Sequence, residues 1–294
     1  MLKKSRMLFL GTFLAFSAQA AQKQSIYISS VKVNPSLQET VGKARNDQAK
    51  LNRVKALLEQ SVRSKVARSN IFTLLERKNL QELTAENELA EATADISSGR
   101  VMRFKGADFA VFTEIESFNY HEELRHYQQI NQQQLNRKLQ VSASLRIVDV
   151  VTGETSHFIS PQLVTLTDNG ALMRTSEDKS SEMILLTAAK ELAEKLSSEF
   201  FQTVTPAKVL AINTGRILLN RGSNVGLKRG DFVEILAVTK VTDDETGEVF
   251  LSELPVAKAK LVSVGFKQSH AVVQGNNLGV AKGCYARLIE EDEK

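Results

Sequence analysis

Four histidines, one cysteine and two acid-rich turns are the residues of this 294-residue chain whose chemistry has to be weighed first. His121 and His126 frame the stretch "HEELRH". A zinc-hydrolase helix sets two histidines four apart, so that both imidazoles share one face. A spacing of five turns the second ring about 140° away from the first on a helix. The flanking sequence is polar and glutamine-rich, so a solvated segment is expected there, with no metal. His157 and His270 stand alone in strand-like contexts, where partly buried structural roles are expected. Cys284 has no neighbouring histidine, and no Gly-x-Ser-x-Gly nucleophile elbow occurs anywhere in the chain. The acidic turn "TDDETGE" lacks the alternating acid spacing and the twelfth-position glutamate of a calcium loop. Glu76–Arg77 closes the apolar run "FTLL". At a strand–helix junction such a carboxylate can accept backbone N–H bonds, and the arginine can fork onto a nearby acid. Its expected role is structural. The residues therefore predict no enzymatic activity, no cofactor and no metal.

The elements that must position these residues begin after a removable segment. Lys3, Lys4 and Arg6 precede the short apolar run "MLFLGTFLAF" and the small-residue end "SAQA", an export signal cleaved after Ala20. Removing those three cations takes the formal charge from +4 to +1, which leaves no basic bias for nucleic acid. Export with a single cysteine excludes an internal disulfide and points to a bacterial periplasmic protein. Ala21 occupies the position an acylated cysteine would need, so no lipid anchor is expected.

Downstream, "IYISSVKV" (26–33) reads as a strand, and 47–68 reads as an amphipathic helix with Leu51, Val54, Leu58, Val62 and Val66 on one face. A strand at 71–75 and a helix at 80–96 follow. Strands are expected at 108–118 and 139–151, joined by a polar loop or long hairpin tip, and "SHFIS" with "QLVTL" extends the antiparallel set. The helix expected at 181–201 carries Met183, Leu186, Ala189, Leu192, Leu196 and Phe200 as its apolar stripe. The composition shifts at "TVTPA" (203–207). The domains read as a signal at 1–20, an α/β domain at 21–202, a linker at 203–207, a β-domain at 208–290 and an acidic tail at 291–294.

The β-domain contains a repeat. "GSNVGLKRGDFVEIL" from Gly222 and "GNNLGVAKGCYARLI" from Gly275 align at a constant offset of 53, matching Gly222, Gly226 and Gly230 to Gly275, Gly279 and Gly283. A doubled turn is the expectation, with glycine and asparagine supplying positive φ. A second echo is Asp-x-x-Thr-Gly-Glu, at Asp149, Thr152, Gly153 and Glu154 and again at 243–248, expected as short hairpin turns.

Three segments, "NIFTLLERKNLQEL" (70–83), "GADFAVFTEIESF" (106–118) and "LRIVDVVTGE" (145–154), together resemble the curli production assembly/transport (CsgG-like) family over roughly residues 26–201. The resemblance implies a three-layer α/β domain with a mixed sheet and flanking helices, CsgG/TolB-N-like, shared with peptidoglycan-synthase activators and flagellar assembly protein T. The tail is similar to the small all-β SH3-like barrel that ends the flagellar protein. The family's channel inserts two membrane hairpins per subunit, but both alternate-residue sets of 119–138 are polar, and 156–174, though better patterned, is interrupted by Pro161 and "TDNG", so no membrane insertion is expected. The implied role is a periplasmic scaffold or ring subunit of a flagellar or secretion machine, with envelope protein partners and homo-oligomerisation. The alternatives are a cell-wall synthase activator and a subunit of an outer-membrane secretion channel.

Overall fold

The computed structural model describes residues 23–41, 45–75, 107–130, 132–169, 179–245, 247 and 249–289. Strand β1 (Ser25–Ile28) lies between two parallel neighbours, β3 (Thr73–Leu75) and β4 (Phe109–Tyr127). Beyond β4 the chain turns antiparallel through β5 (Gln132–Asp149) and β6 (Thr155–Asn169), and the short β2 (Lys32–Val33) pairs with β4. The strand expected at 26–33 is thus split into β1 and β2. Asp108 fixes where β1 and β4 begin: its Oδ2 accepts the Ser25 N–H at 2.6 Å and the Ser25 hydroxyl at 2.8 Å. This gives the Gly-Ala-Asp stretch a physical role, because a misplaced parallel register would separate these groups.

Helix α1 (Pro35–Val41) has no counterpart among the expected elements, which pass from the strand at 26–33 directly to the helix at 47–68. The Asn34 side chain accepts the Ser36 N–H at 3.1 Å, and proline occupies the first helical position, so the dipeptide starts a helix. In α2 (Arg45–Ser69) the expected stripe Leu51, Val54, Leu58, Val62 and Val66 is wholly buried. The helix ends where expected, with Asn70 at φ 56 and the Ser69 hydroxyl donating to the Val66 carbonyl at 2.7 Å.

Helix α3 (Lys179–Val204) corrects one expectation. Met183 is 60% exposed, and the buried face instead runs through Ile184, Leu185, Ala188, Ala189, Leu192, Ala193, Leu196, Phe200 and Phe201. The face is wide because α3 packs on α2, on β5 and β6, and on the barrel with its last turns. The alanines let the two helices approach closely. Helices α1 to α3 join residues of the sheet in one core. The further helix on which a three-layer arrangement would rest, at 80–96, lies outside the described residues.

Of the two expectations for 119–138, a loop or a long hairpin tip, the long hairpin is the one found. β4 and β5 stay paired from Phe109↔Asp149 out to Tyr127↔Gln132, making a ribbon that outlasts the hydrophobic alternation. Strand β6 runs through Pro161, which sits in an irregularity between Ala143↔Gln162 and Leu145↔Ile159. Proline is tolerated there because β6 is the edge strand and a bulge needs no ladder N–H.

After α3 the chain enters the all-β domain with only Thr205 and Pro206 between helix and strand. Its strands are β7 (Ala207–Asn213), β8 (Arg216–Leu219), β9 (Phe232–Thr242), β10 (Val249–Val264), β11 (Ser269–Gln274) and β12 (Tyr285–Ile289). They close into a six-stranded antiparallel barrel in the order β10-β11-β8-β7-β12-β9. The repeat extends to the whole barrel. β9 and β12 follow equivalent turns and pair with each other, and the central pair Glu234↔Arg287 joins two residues 53 apart. The Gly230 N–H donates to the Leu261 carbonyl and the Gly283 N–H to the Val209 carbonyl, at 2.8 and 2.9 Å. Asp231 Oδ2 accepts the Lys228 N–H, and Cys284 Sγ accepts the equivalent Ala281 N–H. A local two-fold therefore relates β7–β9 to the inner part of β10 with β11 and β12. The outer parts of β9 and β10, meeting at the Asp243–Gly247 turn, have no counterpart in the second copy and extend as a second ribbon.

The two domains share one apolar core rather than meeting at a wet seam. Phe72, Phe200 and Phe201 pack with tilted rings at centroid distances of 5.5 and 5.3 Å, in one core with Ala207 and Val225 of the barrel. Asn224 Nδ2 donates to the Ser69 carbonyl at 3.1 Å, and the Leu288 N–H donates to Gln202 Oε1 at 3.2 Å.

Candidate functional site

The structure disperses the residues that looked chemical. His121 and His126 lie on the outer part of β4, both exposed. In a strand a spacing of five puts them on opposite faces, so they cannot share a ligand. His157 and His270 are exposed, against the expectation of partial burial. His157 lies near the start of the edge strand, and His270 alternates with buried Ser269 and Ala271 and so points out of the barrel. Cys284 is buried within its turn. No group of three His, Cys, Asp or Glu suited to a metal occurs among the described residues.

The turn residues fold back on themselves. Asp149 Oδ1 accepts the N–H groups of Val151 and Thr152 at 2.8 and 3.1 Å, the Thr152 hydroxyl accepts the Glu154 N–H at 3.2 Å, and Gly153 stands at φ 76. The second turn repeats this: Asp243 Oδ1 accepts the Glu245 N–H at 2.8 Å and Gly247 has φ 73. With its oxygen engaged by the backbone, each aspartate is a turn former. Gly226, Gly230, Gly275, Gly279 and Gly283 all have positive φ, whereas Gly222 does not. Glu76 and Arg77 lie outside the described residues.

A side-chain cluster that the sequence reading missed sits at the root of the β4–β5 ribbon. Arg137 of β5 is buried, at 3% exposure, and its Nε donates to Glu122 Oε1 of β4 at 3.0 Å. Its Nη1 lies 3.5 Å from Asp168 Oδ2 of β6. From α2, Lys50 Nζ stands 3.7 Å from Glu122 Oε2 and 3.7 Å from the centroid of the Tyr120 ring. The Tyr120 hydroxyl donates to Glu122 Oε1 at 2.5 Å. Burial, reinforced by the Glu122 carboxylate, pushes the Tyr120 hydroxyl well above its ordinary pKa. For Glu122 burial works toward a higher pKa, but the hydrogen bonds from Tyr120 and Arg137 and the charge of Lys50 outweigh it and hold the carboxyl low. A tyrosine kept protonated and a carboxylate kept ionised, each already hydrogen-bonded, are not poised to exchange protons. The cluster instead ties α2, β4, β5 and β6 together where the apolar core ends. Only a signal of odd polar residues in otherwise alternating strands, Arg137 two before Leu139, could have pointed to it.

Beyond that root the ribbon presents apolar side chains to solvent. Leu124, 57% exposed, pairs across the ribbon with Leu135, and Tyr127 is 39% exposed. On the barrel's ribbon, Leu254 and Val241 are 63% and 51% exposed. No described helix is long and apolar enough to cross a membrane.

No curated protein matches the chain. Among solved structures it is similar to a hypothetical protein from Chlamydia trachomatis, at 14% identity, 63% of this chain, 99% of that chain and a TM-score of 0.34. A minor lipoprotein from Acinetobacter baumannii is 9% identical over 61% of this chain and 94% of its own, with a TM-score of 0.31. A lipoprotein from Neisseria meningitidis is 14% identical over 58% and 98%, with a TM-score of 0.22. Likenesses this distant carry no argument about function. Residues 17–157, by contrast, match the model of the curli production assembly/transport component CsgG. Over that span the chain is similar to the CsgG family.

Proposed function

We propose that this chain is exported to the periplasm and acts as a non-enzymatic assembly or scaffold factor of a bacterial envelope machine, a flagellar basal-body ring or a secretion apparatus. It would work by docking protein partners, or further copies of itself, onto its projecting β-ribbons. The likeness of the barrel to the SH3-like domain of flagellar assembly protein T belongs to the same proposal. The observation that carries it is the β4–β5 ribbon, whose root is held by the buried Arg137 cluster while Leu124 and Tyr127 face solvent. A two-stranded ribbon is marginal by itself. One anchored to a sheet and a helix offers a preorganised surface, which lowers the ordering cost of binding.

Both alternate-residue sets of the ribbon carry polar or charged side chains, for example His121, Glu123 and Arg125 on one and Glu122 and His126 on the other. A lipid-facing strand needs one uniformly apolar set. Protein contact is therefore favoured over insertion in a secretion channel. Activation of a cell-wall synthase remains the alternative use of the same docking surface.

The test is a photo-crosslinking residue placed at position 124 or 127 in intact cells. Discrete adducts with an envelope protein or a second copy are expected; Tyr127→Asp should abolish those formed from position 124, and Leu124→Asp those formed from position 127, while the melting temperature stays unchanged. If neither position crosslinks to any protein while the chain is folded and exported, docking through this ribbon is wrong.

A further inference from the structure

Between the two domains an open cleft of about 530 Å³ is lined by Lys23 and Gln24 ahead of β1, Asn70 and Ile71 after α2, Thr205 of the linker, and Asn220, Arg221, Asn224 and Lys267 of the barrel. Among the described residues its lining contains three cations and no carboxylate. We propose that this cleft binds a phosphate-bearing ligand, with Arg221, Lys267 and Lys23 surrounding the anion.

The polar groups are biased toward donation. Asn220 Oδ1 is taken by the Lys208 N–H at 2.8 Å, Asn224 Oδ1 by the Gly222 N–H at 3.1 Å, and Asn70 Oδ1 by Lys23 Nζ. With these oxygens occupied, the amides of Asn70 and Asn220 keep N–H donors for which the described residues supply no acceptor. Gln24 Oε1 and the Thr205 hydroxyl are the side-chain acceptors left in the lining, so N–H groups and positive charge outnumber acceptors, which is complementary to an oxyanion.

Arg221 is the centre of the site. It is half-buried, and among the described residues its hydrogen bonds go to backbone carbonyls, Thr205 O at 3.4 Å and Asn220 O at 3.2 Å. Burial pulls its pKa below the usual guanidinium value, and no carboxylate opposes that shift. A guanidinium that loses water without gaining a counter-ion is costly, and a bound anion would offset the cost. The neighbouring cleft across Asn224, about 220 Å³, makes the contrast. There Lys65 already pairs with Glu194, so part of the charge is satisfied internally.

The barrel turns that carry two of the cations are also held in place. The backbone of Gly222 lies against that of Gly265, the Ser223 N–H donates to the Gly265 carbonyl at 2.9 Å, and the Asn224 N–H donates to the Phe266 carbonyl at 3.0 Å. The Ser269 hydroxyl donates to the Arg221 carbonyl at 2.8 Å. The turn bearing Lys267 is thus locked to the turn bearing Arg221, so the backbone positions that carry the two charges need no induced ordering. The cleft is much larger than a bare phosphate, which suits a phosphate carried on a larger group.

Signal-free full-length protein is titrated by calorimetry with inorganic phosphate, with glycerol phosphate, and with phosphatidylglycerol vesicles set against phosphatidylcholine vesicles. Binding to at least one phosphate probe, weakened by added salt, is expected. Arg221→Gln should weaken it about tenfold or more, as expected for a charge-assisted contact. Lys267→Gln, an exposed change that leaves the fold intact, should weaken it several-fold, and Lys258→Gln, the same charge loss outside the cleft, should leave it unchanged. Saturation by glycerol phosphate identifies a soluble ligand, and binding to vesicles alone identifies a lipid headgroup. No binding to any phosphate probe at millimolar concentration overturns the proposal, as does equal weakening by Lys258→Gln and Lys267→Gln.

Discussion

Gly222 and Gly275 occupy the same position in the two copies of the barrel repeat, yet replacing each by alanine should have different consequences. Gly222 has φ −150, a conformation open to any residue, so backbone strain is not the issue. A Cβ there would stand 2.0 Å from the Gly265 carbonyl oxygen, 2.9 Å from the Gln268 oxygen and 3.0 Å from the Gly265 carbonyl carbon, all backbone atoms. Relief requires the 265–268 turn to withdraw by more than an ångström. That would break the Ser223–Gly265 and Asn224–Phe266 hydrogen bonds, now 2.9 and 3.0 Å. Two lost bonds at about 1 kcal/mol each, with overpacking of about 1–3 kcal/mol, give a cost of about 3–5 kcal/mol. Gly275 has φ 71 with nothing within 4 Å of its added Cβ, so Gly275→Ala incurs only the left-handed penalty, about 1–2 kcal/mol. Urea unfolding of the signal-free protein, followed by circular dichroism, measures both. In melting temperature the first substitution should cost about 6–20 °C and the second about 2–8 °C. Equal losses, or a loss below about 1 kcal/mol for Gly222→Ala, would refute the close-approach argument.

The remaining predictions concern the cluster at the ribbon's root. Arg137→Met leaves Glu122 and Asp168 without their buried cation and should destabilise by about 2–4 kcal/mol, whereas Arg137→Met combined with Glu122→Gln should recover part of that loss in a double-mutant cycle. Glu122 has its folded pKa below the ordinary 4.5, so its stabilising contribution is present above that value and is lost as pH falls through the lower folded pKa. The urea midpoint should therefore drop below about pH 4.5, and Glu122→Gln should flatten that part of the profile. Tyr120 has the opposite sign: its folded pKa is raised above 10.0, so its contribution is complete below pH 10.0 and falls away at higher pH. Absorbance at about 295 nm should show the wild type with one tyrosine that resists ionisation until unfolding, absent in Tyr120→Phe.

Much of the frame was legible because it depends on periodicity. The stripe from Leu51 to Val66 needed only a 3.6-residue repeat and a sheet to pack on, and it is buried residue for residue. The strands at 108–118 and 139–151 announced themselves by alternation, and Asn70 ended α2 because asparagine tolerates positive φ. Even the doubling of the barrel was visible as glycines 53 apart, since turns constrain residue type locally.

What the sequence could not decide were properties that depend on distant neighbours. Met183 fits the stripe of α3 but faces solvent, because the packing of α2, the sheet and the barrel sets that helix's rotation. The polar residues 119–138 lacked a buried face and so carried no strand period, while β5 supplies the backbone pairing that makes them one. Arg137, Glu122, Asp168 and Lys50 come from four elements and span more than a hundred residues. Arg221, Lys267 and Lys23 meet only because barrel and sheet share a core. By itself the sequence determined helix α2, the inner parts of β4 and β5, the turns and the internal repeat, since each is a matter of local conformation and pattern. The tertiary structure alone decided which charges are buried together and which glycine is held by contact rather than by φ. Both depend on the distance between segments that chain order does not encode.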